Sequence, residues 1–235
     1  MSLLNVFKSV ALGACFMVAG VASAQAPAAA PSAAAAPEAL VRDLSTDVLN
    51  AIKADNALKG GDVNRVQKLV DEKVLPYVDF QKMTQLAVGR GWRQATPEQR
   101  AALTREFRTL LVRTYSGALS QVTDHQVKLR PFRGQPSDTD VMVGTNVVPS
   151  RGDPIQLDYR LEKSDAGWKI YDVNILGVWL VENYKTQFAS QINAGGVDGL
   201  IKTLTDRNRQ LEQGKKRSEE RRVGKECRSR WSPYH

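Results

Sequence analysis

The feature that most constrains this chain is the place where its hydrophobic period changes. As far as Asp124 apolar residues recur at helical spacing, from Gln126 to Ile175 they alternate, and after Trp179 helical spacing returns. Runs of one class followed by runs of the other, without β-α-β alternation, predict an α+β domain. The expected architecture is a layer of helices packed on one face of a curved, four-stranded antiparallel sheet.

Within the first run, Leu40, Leu44, Val48 and Ile52 share a helical face that the glycines of "KGG" terminate. Asp62 opens a second helix with Val66, Leu69 and Val70 inward, halted near "LPY", and Phe80 to Val88 forms a third. Thr96-Pro97-Glu98-Gln99 then carries a threonine cap, a proline at the first helical position and a glutamine placed to return the bond. It predicts a long fourth helix with Leu103, Phe107, Leu110, Leu111, Tyr115, Ala118, Leu119 and Val122 in one broad stripe.

The alternating run divides at turn-rich breaks into "QVKLRPF", "DVMVGTNVV", "PIQLDYRLEK" and "GWKIYDVNI". Ile155, Leu157, Tyr159 and Leu161 take one face of the third strand. In the fourth, Trp168 and Ile170 point one way and Tyr171, Val173 and Ile175 the other, the pattern of a central strand with both faces covered. Two closing helices follow, one through Leu180, Val181, Tyr184, Phe188 and Ile192 and one from Leu200 to Leu211, broken at "NAGGVDGL".

Both ends of the 235 residues read as lying outside this domain, which is expected over 38–214. Lys8, the apolar run Val10 to Val21 and Ala22-Ser23-Ala24 predict a cleaved signal peptide over 1–24, the run being short of the ~20 residues a membrane span needs. Export follows. An Ala/Pro-rich flexible linker occupies 25–37, and 217–235 resembles the translation of a sequencing adapter, a non-native addition. The formal charge is +8; Lys8 accounts for one positive charge and 217–235 for a net three, leaving +4, too little for a nucleic-acid binder. Cys15 and Cys227 both fall in the end segments, so no disulfide is expected in the domain.

Chemistry is sparse. A triad needs a histidine oriented by a carboxylate and in reach of Ser or Cys, and between the two end segments His125, beside Asp124, stands without a nucleophile elbow. It reads as structural. Zinc would need several His and Cys ligands, and calcium would need denser carboxylates than "SDTD" or "RGDP" offers. "GRGWRQ" follows a helix, where a dinucleotide fingerprint follows a strand. Asp79, Asp158 and Asp172 are candidate general bases for an exported enzyme acting on a small apolar substrate, the alternative to a binding role. No metal, cofactor or nucleic acid is expected, and the protein is expected to act as a monomer.

"LAVGRGWRQATPEQRAALTREFRTLLVRTYSGAL" and "DVNILGVWLVENYKTQFASQINAGGVDGLIKTL" are similar to the two signature blocks of the MlaC, or toluene-tolerance auxiliary, family. "VLPYVDF" and "PIQLDYRLEKSDAGWKIYDV" resemble it in the same order, so that the likeness spans Leu40 to Leu211. The family pattern usually has a serine at Trp179 and an arginine at Lys185. The resemblance implies a fold related to nuclear transport factor 2. It also implies a periplasmic phospholipid carrier between an outer-membrane Mla lipoprotein complex and an inner-membrane Mla ABC transporter complex, maintaining outer-membrane lipid asymmetry.

Such a role explains the missing chemistry, because apolar burial is non-directional and needs no nucleophile. The expected pocket wall comprises Trp92, Phe107, Leu111 and Tyr115 from the helices and Val143, Val147, Tyr159, Ile170 and Ile175 from the sheet, with Tyr184 as an amphipathic edge near its mouth. Val178, Trp179 and Leu180 form its lip, and Arg90, Arg93 and Lys185 are candidate phosphate partners. An unfilled cavity of roughly 500 Å³ at ~24 cal/mol per Å³ costs about 12 kcal/mol. The protein is therefore expected either to purify loaded with lipid or to let its helices collapse inward when empty.

Overall fold

Side-chain caps start several of the helices in the first half of the chain. The computed structural model describes residues 36–119 and 124–230, with the side chains of all of these except 119 and 215–230. The expected signal peptide and the linker as far as 35 lie outside the described residues. Helix α1 spans Pro37–Ala54, with Pro37, expected as the last linker residue, as its buried first residue. Asp55 then accepts the backbone N–H groups of Ala57 and Leu58 to start α2, Asn56–Lys59, and Asp62 accepts those of Asn64 and Arg65 to start α3, Val63–Leu69. Past α3 the chain winds through a π-helical turn, Val70–Val74, and a 3-10 turn, Leu75–Tyr77. This replaces the simple stop expected near "LPY". Asp79 caps α4, Phe80–Val88, through the Lys82 N–H at 2.8 Å. The short α5, Arg90–Gln94, was not expected, and it holds Trp92 in the core. The reciprocal cap forms as read: the Thr96 N–H donates to Gln99 Oε1 at 2.9 Å and the Gln99 N–H to Thr96 Oγ1 at 3.2 Å, opening α6, Pro97–Leu119.

The sheet has five strands, one more than expected, in the order β1-β2-β3-β4-β5, antiparallel throughout. They are β1 Gln126–Leu129, β2 Asp140–Val148, β3 Ile155–Ser164, β4 Gly167–Ile175 and β5 Val178–Trp179. β3 is the middle strand, and β4, expected to be central, is paired on both edges and buried on both faces. The far edge of β4 is covered in two halves: β5 pairs Asn174 and Ile175, while Val78 bridges Ile170 in parallel and the Asp79 N–H donates to the Ile170 carbonyl at 2.8 Å.

β4 also corrects the expected division of its faces. Leu161 pairs with Ile170, Tyr159 with Val173 and Leu157 with Ile175, so Arg160 faces two β4 residues, Tyr171 and Asp172. This is a β-bulge, and the extra residue shifts the alternation by one. Trp168, Ile170, Val173 and Ile175 therefore share the inner face. Asp172 and Asn174 point the other way.

β4 returns to β5 through a two-residue turn, Leu176-Gly177, both with positive φ (51° and 90°). That is the signature of the primed turns whose twist suits a hairpin, and leucine is poorly suited to the left-handed conformation. Helix α7, Leu180–Arg230, follows; the backbone of Gly196 within it is non-helical (φ 67°, ψ −167°), so the expected break at "NAGGVDGL" divides α7 into two helical pieces. Its backbone runs on as helix through most of the segment expected to stand apart from the domain.

Leu176→Asn should raise stability by about 1 kcal/mol, because asparagine tolerates the left-handed region better. A urea midpoint that rises without a change in slope is the expected result; an unmoved midpoint means the turn stores no strain.

Candidate functional site

The space between helices and sheet contains two apolar clusters. One unites α4, α5, α6 and α7 around Leu103, Phe107, Leu111, Leu180, Tyr184 and Phe188. The other joins α1 to the sheet through Leu40, Val41, Leu44, Val143, Leu161, Trp168 and Ile170. Val78 and Val173 are the residues that pack against both. Val78 sits on the irregular segment before α4, where it bridges Ile170, and Val173 lies on β4 just beyond the bulge. The two valines mark a seam along which one cluster meets the other.

Seven of the thirteen expected pocket residues come together on the helical side of that seam. Trp92, Phe107, Leu111, Leu180 and Tyr184 belong to the helical cluster, with Tyr115 and Ile175 packed against it. Val143 and Ile170 belong to the sheet cluster, with Tyr159 beside it. Val147 is buried in neither. The expected lip divides: Val178 is 52% exposed, Leu180 is buried, and Trp179 lies under Arg160, whose guanidinium is 3.9 Å from the ring centroid. Arg90 and Arg93 are exposed on α5, and Lys185 lies 3.5 Å from Glu182 on α7.

Tyr184 lies within the core. It forms an aromatic trio with Phe107 and Phe188, ring centroids 5.0, 5.1 and 5.6 Å apart, with Phe107 meeting both partners edge-on. Burial raises the pKa of the Tyr184, Tyr115 and Tyr159 phenols, so the interior keeps these hydroxyls neutral. Residues that sequence reasoning left out are Val78 and Phe80, hidden in a segment read as a helix stop and a helix start, and Val173, assigned to the opposite face.

The three candidate bases each serve the fold. Asp79 caps α4. Asp158 is ion-paired with Arg130. Asp172 is 1% exposed, accepts the N–H groups of Val173 at 2.9 Å and Val181 at 3.0 Å, and lies 3.3 Å from an Arg160 nitrogen. It ties the first turn of α7 to β4. His125 is buried, with its carbonyl accepting a bond from Lys53 at 2.8 Å.

Burial pushes the Asp172 carboxyl pKa up, against the opposing pull of the two N–H groups and Arg160. The folded protein therefore holds that proton more tightly than the unfolded chain does. The linked stability is fully present below the ordinary carboxylate value and is lost as pH rises through the folded pKa. Asp172→Asn removes that dependence, so the stability of the original protein relative to this variant should fall as pH rises above the ordinary carboxylate value of about 4. Asp172→Ala should cost about 1–3 kcal/mol by leaving the Val181 N–H without an acceptor. Urea titrations across that pH range measure both, and an unchanging difference between original and Asn variant refutes the linkage.

The family model described as "MlaC protein" matches residues 42–206. The intermembrane phospholipid transport system binding protein MlaC of Haemophilus influenzae is 23% identical over 168 residues, covering 70% of this chain and 78% of its own. The toluene tolerance protein ttg2D of Pseudomonas putida is 24% identical over 169 residues, covering 72% and 78%. A solved phospholipid-binding protein from Ralstonia solanacearum, in complex with a phospholipid, is 49% identical, with a TM-score of 0.74 over 76% of this chain and 99% of that one. With the family model spanning most of the described domain, this chain belongs to the MlaC family.

Proposed function

We propose that this protein is a periplasmic carrier that takes phospholipid by its acyl chains and moves it between an outer-membrane lipoprotein complex and an inner-membrane ABC transporter, without altering it. The observation that carries this reading is the phospholipid bound by a relative 49% identical to this chain and matched over nearly its whole length. A two-chain phospholipid hides ~30 methylenes at ~0.8 kcal/mol each, about 24 kcal/mol of aversion to water. A carrier must replace the bilayer with an apolar interior.

The seam supplies a route to one. Two clusters that meet at Val78 and Val173 can separate there while each keeps its own packing. Acyl chains entering between them replace contacts of the same non-directional kind, so the exchange costs little. The irregular turns from Val70 to Tyr77 hold no buried residue, and such departures from α geometry often mark hinges. The exposed side chains of Leu176 and Val178 extend the apolar path to the surface at the neighbouring hairpin.

Organic extraction of the purified protein followed by mass spectrometry is expected to yield stoichiometric phospholipid. Val173→Trp, which fills the seam, and Val178→Asp, which charges the hairpin, should each lower the recovered lipid at least about tenfold while far-UV circular dichroism stays the same. A tenfold loss corresponds to only ~1.4 kcal/mol. Protein that extracts without lipid, or variants that retain it fully, would falsify this reading.

A further inference from the structure

A groove of about 640 Å³ opens on α6 beside the seam, between that helix and the segment that leads into α4. Phe80, Trp92 and Ala101 line it together with Arg100, Arg105 and Arg108, and no carboxylate is among its lining residues. The three arginines are only partly engaged. The Arg100 Nε–H donates to the Trp92 carbonyl at 3.0 Å and its guanidinium lies 5.5 Å from the Trp92 ring centroid. Arg105 is 3.4 Å from Glu106 and Arg108 is 3.5 Å from Asp71, each through one nitrogen. A guanidinium has five N–H donors, so each side chain keeps donors for a further partner.

The layout of these cations selects the occupant. Eight residues separate Arg100 from Arg108, about 12 Å along the helix axis. They form a row and do not converge on one phosphate. The floor is shallow: Trp92 is 6% exposed and Ala101 is a small side chain in the open. A lone acyl chain would lie half in water there. A helix with one apolar face and carboxylates along its flanks matches both features, since its acidic groups recur every turn over the same length and bind guanidinium well.

We propose that this groove docks an acidic amphipathic helix of a partner protein, its apolar side chains over Phe80, Trp92 and Ala101 and its carboxylates on Arg100, Arg105 and Arg108. The inference does not depend on the cargo: it rests on a surface outside the seam and stands even if the protein carries no lipid.

The test is fluorescence anisotropy of a labelled four-turn peptide (~14 residues) with leucine on one face and glutamate on both flanks, titrated with the full chain. Saturable binding is expected, at least about tenfold weaker for a peptide with glutamine in place of every glutamate, and about three- to tenfold weaker for each of Arg100→Gln, Arg105→Gln and Arg108→Gln. Ala101→Trp fills the groove without removing charge and should abolish binding, whereas Arg151→Gln, exposed in the turn between β2 and β3 and outside the groove, should change nothing. Thermal melts monitor folding of each variant, and extracted phospholipid should stay constant, which keeps this result separate from that of the carrier reading. Three outcomes overturn the proposal: no saturable binding, binding that survives Ala101→Trp, or displacement of the peptide by inorganic phosphate. A fourth is loss of attachment to phosphatidylglycerol vesicles in the arginine variants with peptide binding unmoved, which would assign the row to a membrane surface.

Discussion

A sheet with one apolar face must have that face covered, and here no single helix does it. The inner residues run from Val141 and Val143 through Leu161 and Tyr159 to Trp168, Ile170, Val173 and Ile175. α1 covers one part of this surface and the helices that follow residue 79 cover the rest. Each cover brings its own cluster, and the boundary between them is set by chain topology before any ligand is considered. The apolar interior is thereby divided at a fixed place, beneath the turns that link α3 to α4. Everything proposed about cargo follows from that division.

Much of this was legible in the residues, and the failures have physical reasons. β2 and β4 match the alternating segments from end to end, and α4 and the cap of α6 were set by local signals. "WKIYDVNI" carries bulk at nearly every position, so its phase could not be read, and only pairing with β3 reveals the bulge at Tyr171. β5 is two residues long and exists because a tight turn places it against Asn174 and Ile175; alone it reads as a loop. The pocket residues were chosen from helical stripes and strand faces, which say that a side chain is inward but not which neighbour it meets. That is why Val143, Tyr159 and Ile170 lie across the seam from Phe107 and Tyr184.

The chemistry of the interior suits an inert passenger. The buried carboxylate Asp172 lies on the outer side of β4, flanked by Arg160 and Trp179, while the inner face offers hydroxyls such as Thr145 and Tyr159. Charge is kept where it fastens strand to helix and away from where an acyl chain would lie. Trp179, with the Arg160 guanidinium over its ring, thickens this outer fastening.

The surplus residue in β4 also decides how the strand tolerates changes of length. Excising Tyr171 would restore plain alternation with Val173 and Ile175 still inward, at the cost of its hydroxyl bonds to Asp140. Excising Asn174 would instead rotate Ile175 outward and pull the hairpin out of step with β5. Two single-codon deletions three positions apart thus have opposite fates, one absorbed by the strand and the other felt by the whole interior.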